Sequence, residues 1–137
     1  MITHKLQLRS RYNEVDQMGY IYHSNYVNYC HQARTELLRK LGIEDKILED
    51  NKIMLPVISF DIKYLKPAFY DDLLTIKTII KEIPTVRFNF EFEIFNISGD
   101  KIVSANTTVV FVDSKTRLPK KTPDFILKKL TTNFNLN

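Results

Sequence analysis

The sequence predicts an α+β protein in which a five-stranded antiparallel sheet wraps around one long helix. Three observations carry that reading: one stretch with helical apolar spacing (residues 24–41), five stretches that alternate with period two, and short turn signals between the last three of them. The chain has 137 residues and no Pro-, Gly- or Ser-rich linker divides it, so a single domain over 1–137 is expected.

Residues 4–12 alternate polar and apolar side chains, as a half-buried strand does, and run into a polar turn over 13–19. Between 24 and 41, Tyr26, Cys30, Ala33, Leu37 and Leu41 fall on one helical stripe, which Val27 and Leu38 widen. Ser24 or Asn25 stands where a cap is needed, and Gly42 where a left-handed residue ends a helix. Arg39 and Lys40 place positive charge at its negative end. Residues 43–51 add a short second turn or two. Over 57–65, Ile58, Phe60, Ile62 and Tyr64 share one face and Ser59, Asp61 and Lys63 the other, until Pro67 interrupts. Strands over 73–82, 86–97 and 101–112 are separated by Pro84-Thr85 and Ser98-Gly99-Asp100, the pattern of an antiparallel meander. Thr122-Pro123-Asp124 then reads as a helix start, with Pro at the first helical position, leading into 125–130.

Composition removes several classes. Apolar residues make up 44% and charged residues 26%, a balance that suits a soluble globular core. No run approaches the ~20 apolar residues of a membrane span, and the first residues lack a signal-peptide core, so a cytoplasmic protein is expected. The single cysteine, Cys30, cannot form an internal disulfide or a cysteine-cluster metal site. Gly19, Gly42 and Gly99 lie too far apart for a phosphate-cradling loop. His23 and His31 are eight apart, not the four that pairs two ligands on a helix face, so neither a metal nor a cofactor is expected. The net charge of +4 resides in the last 25 residues, where Lys115, Arg117, Lys120, Lys121, Lys128 and Lys129 face only Asp113 and Asp124. Such a patch suits phosphates, yet no nucleic-acid recognition signature accompanies it, and a nucleic-acid partner is not expected.

Chemistry concentrates between Asp16 and Tyr26. A carboxylate seven residues before His23, beside the start of a buried helix, sits near unsatisfied backbone N–H groups and a positive dipole end, the combination that hydrolysis of an acyl group needs. By residue type alone, Asp16 ahead of Gly19 also reads as a turn former. Tyr22, Tyr26 and Tyr29 read equally as core or rim aromatics, His23 as a capping or surface residue, and Cys30 as a packed core thiol.

The run Arg11-Tyr12-Asn13-Glu14-Val15-Asp16-Gln17-Met18-Gly19-Tyr20-Ile21-Tyr22-His23-Ser24-Asn25-Tyr26, followed by Ala33-Arg34-Thr35-Glu36, resembles the signature of the hotdog-fold acyl-CoA thioesterases. Within them it is most similar to the 4-hydroxybenzoyl-CoA thioesterase and YbgC-like branch. Tyr64, Pro67 and Asp71-Asp72 match that family's second strand and the turn after it. The resemblance implies hydrolysis of a CoA thioester at a subunit interface of a homodimer or homotetramer. Asp16 matches the catalytic carboxylate, His23 the position whose backbone N–H polarises the thioester carbonyl, and Gly19, Tyr22, Asn25 and Tyr26 the substrate-binding turn, pocket and helix start. The basic tail would then meet the phosphates of CoA, or an acyl carrier protein in place of CoA. A non-hydrolytic acyl-CoA-binding or assembly module is the alternative. Two positions depart from the pattern: Val15 replaces a frequent Thr, and His31 a frequent Glu on the helix.

Overall fold

The computed structural model describes residues 1–136. Strand β1 (Ile2–Arg9) leads through a single 3-10 turn (Tyr12–Glu14) to helix α1 (Asn25–Lys40) and the short helix α2 (Asp45–Asp50). Strands β2 (Ile53–Met54), β3 (Val57–Tyr64), β4 (Leu73–Ile80), β5 (Arg87–Phe95), β6 (Lys101–Val110) and β7 (Val112–Asp113) precede the C-terminal helix α3 (Asp124–Asn135). Among the described residues no helix is long and apolar enough to cross a membrane.

The sheet runs β1-β4-β5-β6-β3, antiparallel throughout, and β2 pairs with β7 in a separate ribbon. The meander expected from the turn signals is its centre, β4-β5-β6. Period-two alternation decides which way β5 faces. Phe88, Phe90, Phe92 and Ile94 are buried, while Arg87 and Asn89 are exposed and Glu91 and Glu93 half-buried on the outer side. Helix α1 lays Tyr26, Tyr29, Cys30, Ala33 and Leu37 onto this inner face, so the helix is wrapped by the sheet as predicted. Each fully buried Leu or Phe there contributes roughly 1.5–3 kcal/mol.

Helix α1 ends as its sequence indicates. Gly42 has φ +81°, its N–H donates to the Arg39 carbonyl (3.0 Å), and the Ile43 N–H reaches the Leu38 carbonyl (2.7 Å), a Schellman motif. Its start differs from expectation, because neither Ser24 nor Asn25 provides a side-chain cap. The chain already curls before the helix, so the N–H groups of Asn25, Tyr26 and Val27 find the carbonyls of Tyr22, His23 and Ser24 three residues back. Strand β1 also starts two residues earlier and ends three residues earlier than the alternation suggested. Ser10 is drawn out of the sheet by hydrogen bonds to the carbonyls of Phe69 and Asp72, and Tyr12 falls in the 3-10 turn. Pro123 precedes the first helical residue of α3 instead of occupying it.

Strand β3 is a sheet edge. It pairs only with β6, and Val57 and Ile58 remain 51% and 50% exposed.

Candidate active site

Asp16 opens a tight loop closed by the bridge between Val15 and Ile21. The Asp16 N–H donates to the Tyr20 carbonyl (2.8 Å) and the Gly19 N–H to the Asp16 carbonyl (3.0 Å). Gly19 adopts φ +81° with open space around it, so the backbone conformation, not packing, calls for glycine there. The carboxylate helps to build this loop: Asp16 Oδ1 accepts the N–H groups of Met18 (2.9 Å) and Tyr20 (3.1 Å). The turn-forming reading of Asp16 is met by Oδ1, and Oδ2 has no hydrogen bond among the described residues.

Three ties hold the loop against the fold. Ile21 N–H donates to the Ala68 carbonyl (2.8 Å), Tyr20 bridges Phe69, and Tyr22 N–H donates to the Glu14 carbonyl (2.8 Å). Glu14 is the hub that sequence reasoning missed. Its carbonyl also accepts Asn25 Nδ2 (2.8 Å), and its carboxylate accepts the Arg11 N–H (2.7 Å) and the Tyr29 hydroxyl (2.8 Å). Asn25, read as a cap or substrate contact, thus anchors the helix start to the turn that precedes Asp16. Burial and the neighbouring Glu14 carboxylate both push the Tyr29 phenol upward.

A cleft of about 320 Å³ opens between this loop, the start of α1 and the end of β3. Asp16, His23 and Tyr26 line it together with Tyr64 and Lys66. The backbone N–H groups of His23 and Ser24 have no acceptor among the described residues, and both residues are exposed. They stand at the positive end of a 16-residue helix. Of the two only His23 lines the cleft, which therefore brings a carboxylate residue and one residue with a free backbone donor together among aromatic walls, an arrangement able to polarise a carbonyl and deliver a base or nucleophile to it.

The remaining candidates divide. Tyr26 is a buried wall residue whose phenol burial pushes up to about 12. Tyr22 is half exposed and packs its ring 4.4 Å from that of His23 without lining the cleft. Cys30 is wholly buried and its thiol is pushed up to about 12 by burial, as for an inert core cysteine. His31 lies elsewhere on α1, where Arg34 Nη2 donates to its Nδ1 (3.0 Å). Burial and then the Arg34 charge lower its pKa. None of the six C-terminal cations lines the cleft; Lys66, paired with Asp100 at 3.6 Å, is the lysine that does. No group of three His, Cys, Asp or Glu side chains among the described residues is placed to hold a metal ion.

Tyr64 and Lys66 were not singled out for this site from sequence, because they arrive from 41 or more residues away. The one signal available was the matched strand-and-turn segment 61–72.

Comparisons with known proteins agree with this architecture. The acyl-CoA thioester hydrolase YbgC of Escherichia coli is 30% identical over 120 residues, covering 88% of this chain and 90% of that protein. The 1,4-dihydroxy-2-naphthoyl-CoA hydrolase of Nostoc punctiforme is 28% identical over 124 residues, covering 90% and 83%. Among solved structures, a DHNA-CoA thioesterase from Staphylococcus aureus superimposes with a TM-score of 0.88 at 29% identity, covering 99% of this chain and 95% of that one. The family model described as the thioesterase-like superfamily matches residues 10–130, so the loop, the helix it leads into and every strand of the sheet except β1 fall within the match, and the chain belongs to that superfamily.

Proposed function

We propose that this chain is an acyl-CoA thioesterase, hydrolysing RCO–S–CoA and water to a free carboxylic acid and CoA. The observation that carries the reading is that Asp16, one of whose oxygens makes no hydrogen bond among the described residues, and His23, whose N–H has no acceptor among them, line one cleft. The thioester oxygen takes hydrogen bonds from the His23 backbone and the positive end of α1, which draws electron density from the carbonyl carbon. In one route Asp16 removes a proton from water as its oxygen adds to that carbon. In the other Asp16 adds directly, giving a mixed anhydride that water then cleaves. In both the C–S bond breaks, the thiolate leaves as CoA and takes up a proton, and the negative charge on oxygen collapses back to a carbonyl. Solvent-oxygen labelling of Asp16 in a single turnover separates the routes.

The active form in this reading is a cytoplasmic homodimer or homotetramer of one-domain subunits spanning 1–137. The half-exposed apolar edge β3 supports it, since such an edge is ordinarily covered in a working protein. Sedimentation showing a fully active 16.2 kDa species at assay concentration sinks that part of the proposal.

The test of the chemistry is a panel of acyl-CoA esters with thiol detection. Asp16→Asn keeps the turn-building oxygen but removes the base, so turnover falls at least ~10²-fold. His23→Ala keeps the backbone N–H and costs far less. Near wild-type activity in Asp16→Asn refutes the assignment, and a greater loss in His23→Ala replaces the backbone account with imidazole chemistry.

A further inference from the structure

Tyr64 ends the edge strand β3, 41 residues from the helix start, yet its hydroxyl donates to the His23 carbonyl at 3.2 Å. Its ring meets that of His23 edge-on at 6.2 Å and lies 5.7 Å from that of Tyr26. The same His23 carbonyl accepts the Tyr26 N–H at 3.4 Å, a long bond for a helix and a weak hold by itself. On the other side of His23, the Tyr22 carbonyl is held by the Asn25 N–H at 3.0 Å. The two peptide units around His23 are therefore each fastened by their carbonyl, and their N–H groups, those of His23 and Ser24, are the ones left without an acceptor among the described residues.

We infer that Tyr64 is a positioning residue for the oxyanion donor: its hydroxyl fastens the His23–Ser24 peptide, the link between the cleft-lining His23 and the start of α1, so that His23 and its free N–H keep their place beside Asp16. A peptide N–H lies opposite its own carbonyl, so a donor on the His23 oxygen fixes the direction of the Ser24 N–H and polarises it through the shared amide. Donors aimed in advance need no reorganisation when charge develops on the thioester oxygen, which is where their benefit to the transition state arises. The strand end supplies this hold because β3 is anchored to β6 through Tyr64 itself, paired with Val103. This inference rests on the proposed thioesterase activity for its consequence, and on the geometry alone for the clamp.

Tyr64→Phe tests both parts, since it removes the hydroxyl and keeps the ring between His23 and Tyr26. The clamp predicts that the amide resonances of His23 and Ser24 move and that amide exchange at Tyr26 quickens, while the second half of α1 is unchanged. With an acyl-CoA ester that the wild type cleaves, kcat falls three- to tenfold and KM stays within twofold, because the lost interaction acts on the transition state. Tyr64→Leu, which also removes the ring, raises KM as well. Unmoved resonances in Tyr64→Phe overturn the clamp. An unchanged kcat, or a loss appearing only in KM, overturns its role in the reaction. Should the wild type cleave no ester, the thioesterase reading fails, and the amide resonances still decide whether the clamp exists.

Discussion

The Tyr29 hydroxyl donates to Glu14 Oε1 at 2.8 Å, joining the second turn of α1 to the 3-10 turn that comes just before Asp16. Glu14 is half-buried and its other bonds run to Arg11, Tyr22 and Asn25, so the contact fixes how the Asp16 loop sits on the helix. Tyr29→Phe leaves a carboxylate short of one donor. It is expected to destabilise the fold by about 1.5–3 kcal/mol in denaturant unfolding, the range for a hydrogen bond to a charged group. Because the loop also loosens, kcat should fall more than stability alone accounts for, which activity measured well below the melting temperature checks.

A second expectation concerns acid. His4 on β1 and Thr78 on β4 are cross-strand partners, and His4 Nδ1 and Thr78 Oγ1 are both buried with no hydrogen bond among the described residues. Burial lowers the His4 pKa, Lys40 lowers it further and Glu36 opposes them. The His31 pKa is lowered too, by burial and then by Arg34. A histidine whose folded pKa lies below its unfolded value binds fewer protons when native. Its contribution to stability is therefore present above about pH 6.5 and lost as pH falls. Unfolding free energies at pH 7.5 and 5 should show wild type losing more than His4→Gln over the same interval; equal losses refute the contribution of His4.

The third expectation tests the basic tail. Lys120→Glu together with Lys121→Glu should raise KM for a CoA ester at low ionic strength and leave kcat nearly unchanged, as when uniform binding is lost. The rise should fade as salt reaches ~0.15 M, where the screening length is about 8 Å. Lys66→Glu, at the cleft itself, should raise KM under the same conditions. If only Lys66→Glu acts, the phosphates of CoA do not reach the tail.

Much of this was legible in the residues because it depends on local period. The apolar stripe of residues 24–41 matches α1 to within a residue at each end, and the alternation of Phe88, Phe90 and Phe92 told which face of β5 turns inward. Gly42 announced the Schellman end. What the residues did not reveal is long-range. Ser24 and Asn25 have the composition of caps, but the loop curled ahead of them took over that task, freeing Asn25 to reach Glu14. The arrival of Tyr64 at His23 follows from β3 taking the far edge of the sheet, next to β6 and not next to β4, which no alternation encodes. Of the motif's candidates, Asp16, His23 and Tyr26 line the cleft and Gly19, Tyr22 and Asn25 do not, while the assignment of Tyr64 and Lys66 to it came with the fold.

The two oxygens of Asp16 have separate fates, one knitted into its own loop and the other left open. A glutamate at 16 would extend the acid by a methylene, and the short reach that lets Oδ1 collect the N–H groups of Met18 and Tyr20 would be lost with it. The acid and its turn therefore constrain each other, and neither changes length without rebuilding the other.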